Sequence, residues 1–262
     1  MTVGQALALY ENKIAPVKVS DDFCAKYKMY DNSGVIIDCG KEVTGVLFTL
    51  DLSEAAVKLA TERGYNLIIT HHPAIYGGVS RIDTVNVPQS RAIAGCVKNG
   101  VSVISMHLNS DAAPEGIDYY LMRGLGGKVG KTLCNIEGGA YGRVYEIEKT
   151  TLAKLAARAA ETFRSPRVVY FGEADRQIKK AASFCGAGCD DDTVAFAKAQ
   201  GADLFVSSDL KHHQIADLVE SGIAVLQLTH YCAESYGFEK IYEELKKYLN
   251  VPSSFFFDGR FA

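Results

Sequence analysis

Four short segments hold all six histidines of the chain, and each segment ends a strand-like apolar run. Residues 66–70 run into His71-His72-Pro73, and residues 101–106 run into His107, with Asp111 four positions on. Residues 203–208 run into Asp209-Leu210-Lys211-His212-His213, and residues 223–229 into His230, with Glu234 four positions on. In an open α/β sheet, ligands collect beyond the carboxyl ends of the strands. Imidazoles confined to such places point to a metal site assembled from distant parts of the chain. Pro73 forces an extended or turning backbone on the residue before it. The four-residue spacing sets His107 with Asp111, and His230 with Glu234, on one face of a helical turn. Each pair alone is explained as well by a helix cap or a surface hydrogen bond. Six histidines at strand ends and none elsewhere are not.

The set His71, His72, Asp111, His230 and Glu234 is rich in imidazole and carboxylate and free of thiolate. Such donors suit zinc, iron, manganese or cobalt and are too nitrogen-rich for calcium or magnesium. Five side chains exceed the needs of one four-coordinate ion, and two carboxylates can bridge two ions about 3.5–4 Å apart. His107 and His213 are then extra ligands, outer partners that orient the carboxylates, or proton carriers in catalysis.

The elements that must position these residues form a repeated pattern. A strand at 46–50 is followed by a helix capped by Ser53 and ended by Gly64. The strand to His71, a helix over 89–98 ended by Gly100, and the strand to His107 complete a strand-helix-strand-helix-strand unit. The same order recurs from residue 181, with a helix capped by Asp190, a strand to Asp209, a helix over 213–220, and a strand to His230. The fold class expected is α/β. Two similar three-layer lobes with mostly parallel sheets and right-handed crossovers would hold a dimetal site in the cleft between them. The first lobe is placed at 1–125 and the second at 126–262, with the C-terminal segment packing back on the first. A glycine-rich stretch (Gly124, Gly126, Gly127, Gly130, Gly138, Gly139) is read as a hinge region. It precedes a strand at 143–148 and a helix at 151–163. The tail carries an amphipathic helix over 238–249 and an aromatic strand at 254–258, too apolar to be left exposed.

With 262 residues, 48% hydrophobic and 23% charged, the chain has an ordinary globular make-up that excludes disorder. Its net charge of −3 and the absence of a basic stripe argue against nucleic acid as a partner. No apolar run approaches the ~20 residues of a membrane helix. No basic segment leads into an apolar core at the N-terminus, and the seven scattered cysteines read as reduced thiols, so a cytoplasmic location is expected.

The segments Leu67-Ile68-Ile69-Thr70-His71-His72-Pro73, His107-Leu108-Asn109-Ser110-Asp111, Gly186-Ala187-Gly188, Ser208-Asp209-Leu210-Lys211-His212-His213 and Thr229-His230-Tyr231-Cys232-Ala233-Glu234 together resemble the signature of the GTP cyclohydrolase I type 2 homologue (NIF-three-like) family. The opening Tyr30-Asp31-Asn32-Ser33-Gly34-Val35 fits its N-terminal pattern. The resemblance spans nearly the whole chain and implies a dinuclear-metal protein assembled as a toroidal hexamer, a trimer of dimers. By motif match it implies His71, His72, Asp111, His230 and Glu234 as ligands of two divalent ions per chain, with His213 matching a recurrent histidine near the metals and His107 one beside Asp111. Ser208 stands where the pattern expects glycine, and Lys211-His212 replace less basic residues. The family label implies no substrate by itself, and no phosphate-cradling loop of the nucleotide-binding kind is present.

Two functions follow from this pattern. One is a metal-dependent hydrolase of a small nucleotide-like, phosphorylated or cyclic amide metabolite. The other is a non-catalytic protein that stores, senses or delivers metal, or binds a partner. A purely structural metal is disfavoured, because the chain has a large apolar core of its own. The aromatic segments Tyr119-Tyr120, Tyr141 to Tyr145, Phe255-Phe256-Phe257 and Phe261 are candidates for subunit contacts.

Overall fold

A computed structural model describes all 262 residues. In chain order the elements are α1 (Val3–Lys13), α2 (Val17–Tyr27), β1 (Gly34–Ile37), β2 (Val46–Thr49), α3 (Glu54–Glu62), β3 (Leu67–Thr70), α4 (Pro88–Asn99), β4 (Ser102–Ser105), α5 (Leu108–Ala112) and α6 (Ile117–Gly124). There follow β5 (Gly130–Ile136), β6 (Gly139–Thr151), α7 (Leu152–Thr162), β7 (Val169–Phe171), β8 (Gln177–Ser183), α8 (Asp191–Ala199), β9 (Leu204–Ser207), α9 (His212–Glu220), β10 (Ala224–Gln227), α10 (His230–Leu245) and β11 (Ser253–Phe256). The chain forms two compact units. One comprises residues 1–113, 136–138 and 238–258, and the other residues 114–135, 139–237 and 259–262.

The first unit is built on a five-stranded sheet of order β1-β4-β3-β2-β11. Strands β4, β3, β2 and β11 run parallel, and β1 closes the edge antiparallel to β4. Every residue of β2, β3 and β4 is buried. Parallel strands covered on both faces read as continuous apolar runs. Leu47, Ile68 and Val103 face α3 and α4, where Ala56, Val57, Ala60, Ala92 and Cys96 complete a cluster. Phe48, one residue on from Leu47, points to the opposite face and meets the Phe238 and Tyr242 rings of α10. The helices thus form the two outer layers. Ser53 caps α3 through its hydroxyl, and Gly100 ends α4 with a left-handed φ of 67°.

The second unit carries a six-stranded sheet of order β5-β6-β8-β9-β10-β7. Its centre, β8, β9 and β10, is parallel, flanked by antiparallel β6 and β7. Phe184, Phe205 and Val225 pack against Val194 and Ala197 of α8 and Leu218 of α9. The order β8-α8-β9-α9-β10 repeats β2-α3-β3-α4-β4, as the doubled sequence pattern anticipates.

The glycine-rich stretch ends α6 and enters β5 and β6, and Gly124 and Gly127 make room for packed rings. A Cβ on Gly124 would lie 2.5 Å from Phe163 Cζ, and one on Gly127 would lie 2.4 Å from Tyr145 Cδ2 and 2.6 Å from Met122 Cγ. Gly127→Ala is therefore expected to cost about 1–3 kcal/mol as an overpacking change. Urea denaturation checks this, and an unchanged midpoint would mean that the Tyr145 ring yields freely.

The tail differs from expectation at its start. Helix α10 begins at His230, so His230 and Glu234 lie on its first turns. The aromatic residues expected at subunit contacts divide. Tyr145 is buried, and Phe255 packs on Phe238 and Tyr242, whereas Phe261 is exposed. No helix is long and apolar enough to cross a membrane.

Candidate metal centre

In the first unit three adjacent parallel strands deliver polar residues at their carboxyl ends. Asp51 follows β2, His71 and His72 follow β3, and His107 follows β4. Thr70 and Ser105 are register partners, so the loops after β3 and β4 leave the sheet at one level. Their hydroxyls hydrogen-bond each other at 2.8 Å. The imidazoles of His71, His72 and His107 converge, with ring centroids 4.9, 5.1 and 5.8 Å apart. One ligand atom from each lies within 4.8 Å of the others.

Each ring is held through Nδ1. His71 Nδ1 lies 3.1 Å from the Met106 carbonyl, His72 Nδ1 2.7 Å from Asp51 Oδ1, and His107 Nδ1 2.8 Å from Asp31 Oδ1. An acceptor at Nδ1 selects the Nδ1–H tautomer and leaves the lone pair on Nε2. This is the arrangement that outer partners impose on metal-ligating histidines. His71 Nε2 faces Asp111 Oδ1 at 3.5 Å, with both side chains nearly inaccessible to solvent. Two donors on one tetrahedral ion, each about 2.0–2.2 Å from it, stand roughly 3.3–3.5 Å apart. The pair is spaced for such an ion.

The N-terminal segment anchors this group of imidazoles. Ser33 Oγ accepts from the His107 backbone N–H at 2.9 Å and donates to Asp31 Oδ2 at 2.6 Å. The Ser20 hydroxyl accepts from Asn109 N–H at 2.8 Å, and Tyr10 and Ser110 hydroxyls meet at 2.7 Å. Burial works to raise the Asp31 carboxyl. The hydrogen bond and charge of His107, with the Ser33 and Ser20 hydroxyls, overcome that and hold it well below the usual carboxylate range.

The second unit repeats the device. Gly186 follows β8, Asp209 follows β9, and His230 follows β10. His230 Nδ1 lies 2.6 Å from Asp209 Oδ2, and Nε2 lies 2.9 Å from Glu234 Oε2, one helical turn along α10. Asp209 adopts a left-handed φ of 52°, a conformation that aspartate tolerates better than most residues. Glu234 is buried. A Cβ on Gly186 would sit 2.7 Å from Glu234 Oε1 and 3.7 Å from His230 Nε2, so a bare glycine, itself at φ 65°, keeps the space beside this carboxylate open. Ser208, where glycine is expected, is buried, and its N–H donates to the Gly186 carbonyl at 3.1 Å.

His71, His72, His107 and Asp111 are thus together in one unit, and His230 and Glu234 together in the other. His212 and His213 are exposed on the first turn of α9 and join no such group. Sequence reasoning passed over Asp31, Asp51 and Asp209 as ring holders. The signal available was an aspartate directly beyond β2 and β9, matching the histidines beyond β3 and β10. Burial pushes the Cys189 thiol up to about 11 and the Cys96 thiol up to about 12, so neither is a thiolate near neutral pH.

Residues 8–257 match the family model described as Duf34/NIF3 (NGG1p interacting factor 3). A Clostridium perfringens relative named GTP cyclohydrolase 1 type 2 homolog is 32% identical over 248 residues, covering 92% of this chain and 90% of the relative. NGG1-interacting factor 3 of Saccharomyces cerevisiae is 28% identical over 243 residues, covering 83% and 81%. Among solved structures, one titled protein ybgI, unknown function, superposes with TM-score 0.84 over 100% of both chains at 18% identity. The Staphylococcus aureus hypothetical protein SA1388 superposes with TM-score 0.83 at 24% identity, over 98% of this chain and 96% of its own. These structural likenesses bear on the fold alone.

Proposed function

Since the chain belongs to the Duf34/NIF3 family, we propose that it holds a dinuclear divalent-metal centre and that the protein is a metal-dependent hydrolase of a small metabolite. The ligands are His71, His72, Asp111, His230 and Glu234, and the ions are zinc, iron or manganese. The observation that carries this reading is the uniform treatment of four imidazoles. His71, His72, His107 and His230 each have Nδ1 fixed by a carbonyl or carboxylate. Histidines that merely fill a core need no such common tautomer.

Two ions in such a centre would supply Lewis-acid activation of water and of an oxygen-rich substrate. The chain's own contribution is positional. Asp51, Asp31 and Asp209 hold the rings in one tautomer, and Asp111 and Glu234 bring negative charge against them. The substrate class is a nucleotide-like, phosphorylated or cyclic amide compound, all of which present oxygen to metal. A panel of phosphoesters, cyclic amides and nucleotides, assayed with the reconstituted protein, tests the reading. Inertness across the panel, with metal bound, would overturn the hydrolase assignment and leave metal handling.

The ring holders make a separate prediction. Asp209→Asn is expected to weaken metal binding by roughly 10–100-fold, the usual cost of losing an outer partner. Competition against a chelating dye reads it, and unchanged affinity would show that the His230 ring needs no anchor. We also propose a cytoplasmic homohexamer, supported by the family resemblance and by exposed Phe261. A light-scattering mass near one 28.4 kDa subunit would overturn it.

A further inference from the structure

Beside the first unit's imidazoles stands a pair of tyrosines that the metal chemistry does not use. The rings of Tyr30 and Tyr76 are 5.1 Å apart and meet at 87°, and the two residues are 51% and 61% exposed. A lone exposed ring on a protein surface needs no explanation. These two are fitted to each other. The Tyr76 hydroxyl donates to the Tyr30 carbonyl at 3.1 Å, and Asn32 Nδ2 donates to the Ile75 carbonyl at 2.7 Å. Both segments are also tied to the imidazole group. Asp31, next to Tyr30, holds His107 Nδ1 at 2.8 Å. Ala74, shortly before Tyr76, donates its N–H to Ser105 Oγ at 3.0 Å, and its carbonyl accepts from Gln89 Nε2 at 2.7 Å. Gly77 then turns the chain with a φ of 77°. A single Cα–Cα step of about 3.8 Å thus separates Tyr30 from the residue that anchors a cluster imidazole.

Rings held this firmly lose little freedom when a flat partner lands on them. Two planes at a right angle form a corner. A planar ring stacks on one and turns its edge to the other, the two arrangements that aromatic pairs favour. The geometry points to Tyr30 and Tyr76 as the binding site for the planar heterocycle of a ligand whose oxygen-rich end reaches the proposed metals. The inference rests on the metal reading of the neighbouring residues and deepens it, selecting the nucleotide-like class among the three substrate classes. A simple phosphoester or a non-aromatic cyclic amide offers no π face to the corner. The tyrosines touch no reacting atom in this assignment and set specificity instead. The Tyr76 hydroxyl is spent on the Tyr30 carbonyl, so what the corner presents is ring.

Isothermal titration calorimetry of the metal-loaded full-length protein tests this. The probes are the 5′-monophosphates of adenosine, guanosine, cytidine and uridine, and ribose 5-phosphate is the reference that lacks the heterocycle. Stacking on an aromatic side chain is worth about 5–150-fold in affinity, so at least one nucleotide should bind tighter than ribose 5-phosphate by that order. Tyr30→Leu and Tyr76→Leu, checked for fold by circular dichroism, should each forfeit most of this preference and leave ribose 5-phosphate binding unchanged. Tyr30→Phe should keep it, since the ring remains. Nucleotides that bind no tighter than ribose 5-phosphate, or leucine variants that keep the wild-type preference, would overturn the inference. So would a smaller light-scattering mass in the leucine variants, which would make the pair a subunit contact. Elemental analysis of the same samples separates this result from the metal reading. Protein without bound metal would overturn the dinuclear centre, while a nucleotide preference lost in the leucine variants would still seat the heterocycle on the tyrosines.

Discussion

Glu234→Gln is expected to release about one of two bound ions per chain while the fold stays intact. The substitution keeps the shape of a buried side chain and removes its charge. Two cations about 3.5–4 Å apart repel strongly where the dielectric is low, and a bridging carboxylate is what makes such a pair tolerable. Losing that anion falls hardest on the ion with fewer nitrogen donors. His212→Ala is the control, because His212 is exposed on α9 and stands apart from the converging donors. Elemental analysis after reconstitution measures both. Equal metal content in the two variants would remove Glu234 from the centre.

Phe238→Ala carries the largest expected cost in stability. The ring is fully buried, lies 6.1 Å from Phe48 and 6.3 Å from Phe255, and covers His71. Truncating a buried phenylalanine costs about 3–5 kcal/mol through lost transfer energy and the cavity left behind. For a chain of this size that corresponds to a melting point lower by roughly 10 °C. The measurement belongs on chelator-treated protein, so that metal linkage does not enter. Val219→Ala, at an exposed site on α9, should stay within about 0.5 kcal/mol. If the two substitutions cost the same, α10 does not seal the face of the sheet that the structure assigns to it. Repeating the melt with metal should widen the gap, because the cavity opens beside His71, one of the proposed ligands.

Much of this architecture was legible because its signals are local. The helix-ending glycines Gly64, Gly100, Gly201 and Gly222 all take left-handed φ, a demand that few other residues meet. Ser53 and Asp190 cap the helices they precede. The unbroken apolar runs before His71, His107 and His230 are buried parallel strands, and the donors cluster because such strands end together. What stayed hidden depends on partners far away in the chain. The packing role of Gly124 and Gly127 shows only when the rings of Phe163 and Tyr145 are set against them. Asp31, Asp51 and Asp209 are ordinary aspartates until an imidazole arrives from another strand. His213 shares a motif with Asp209, yet the first turn of α9 carries it to solvent. Helices α1 and α2 escaped notice because they precede the repeated pattern, and their part is to hold the 107–111 turn through Tyr10 and Ser20.

The seat of β11 in the first sheet has a consequence for how the protein is made. Residues 253–256 lie parallel beside residues 46–49, so β2 waits for a strand made after the whole of the second sheet. The second unit's sheet lies wholly within residues 130–227 and has all its strands before β11 is made. The usual order, in which N-terminal domains finish first, is thereby reversed. Through most of translation β2 presents an unpaired apolar edge, the kind of template that recruits other chains. A chain that stopped before residue 253 would have every strand of the second sheet and an open edge at β2 in the first. Such a chain should be a client for chaperones and proteases.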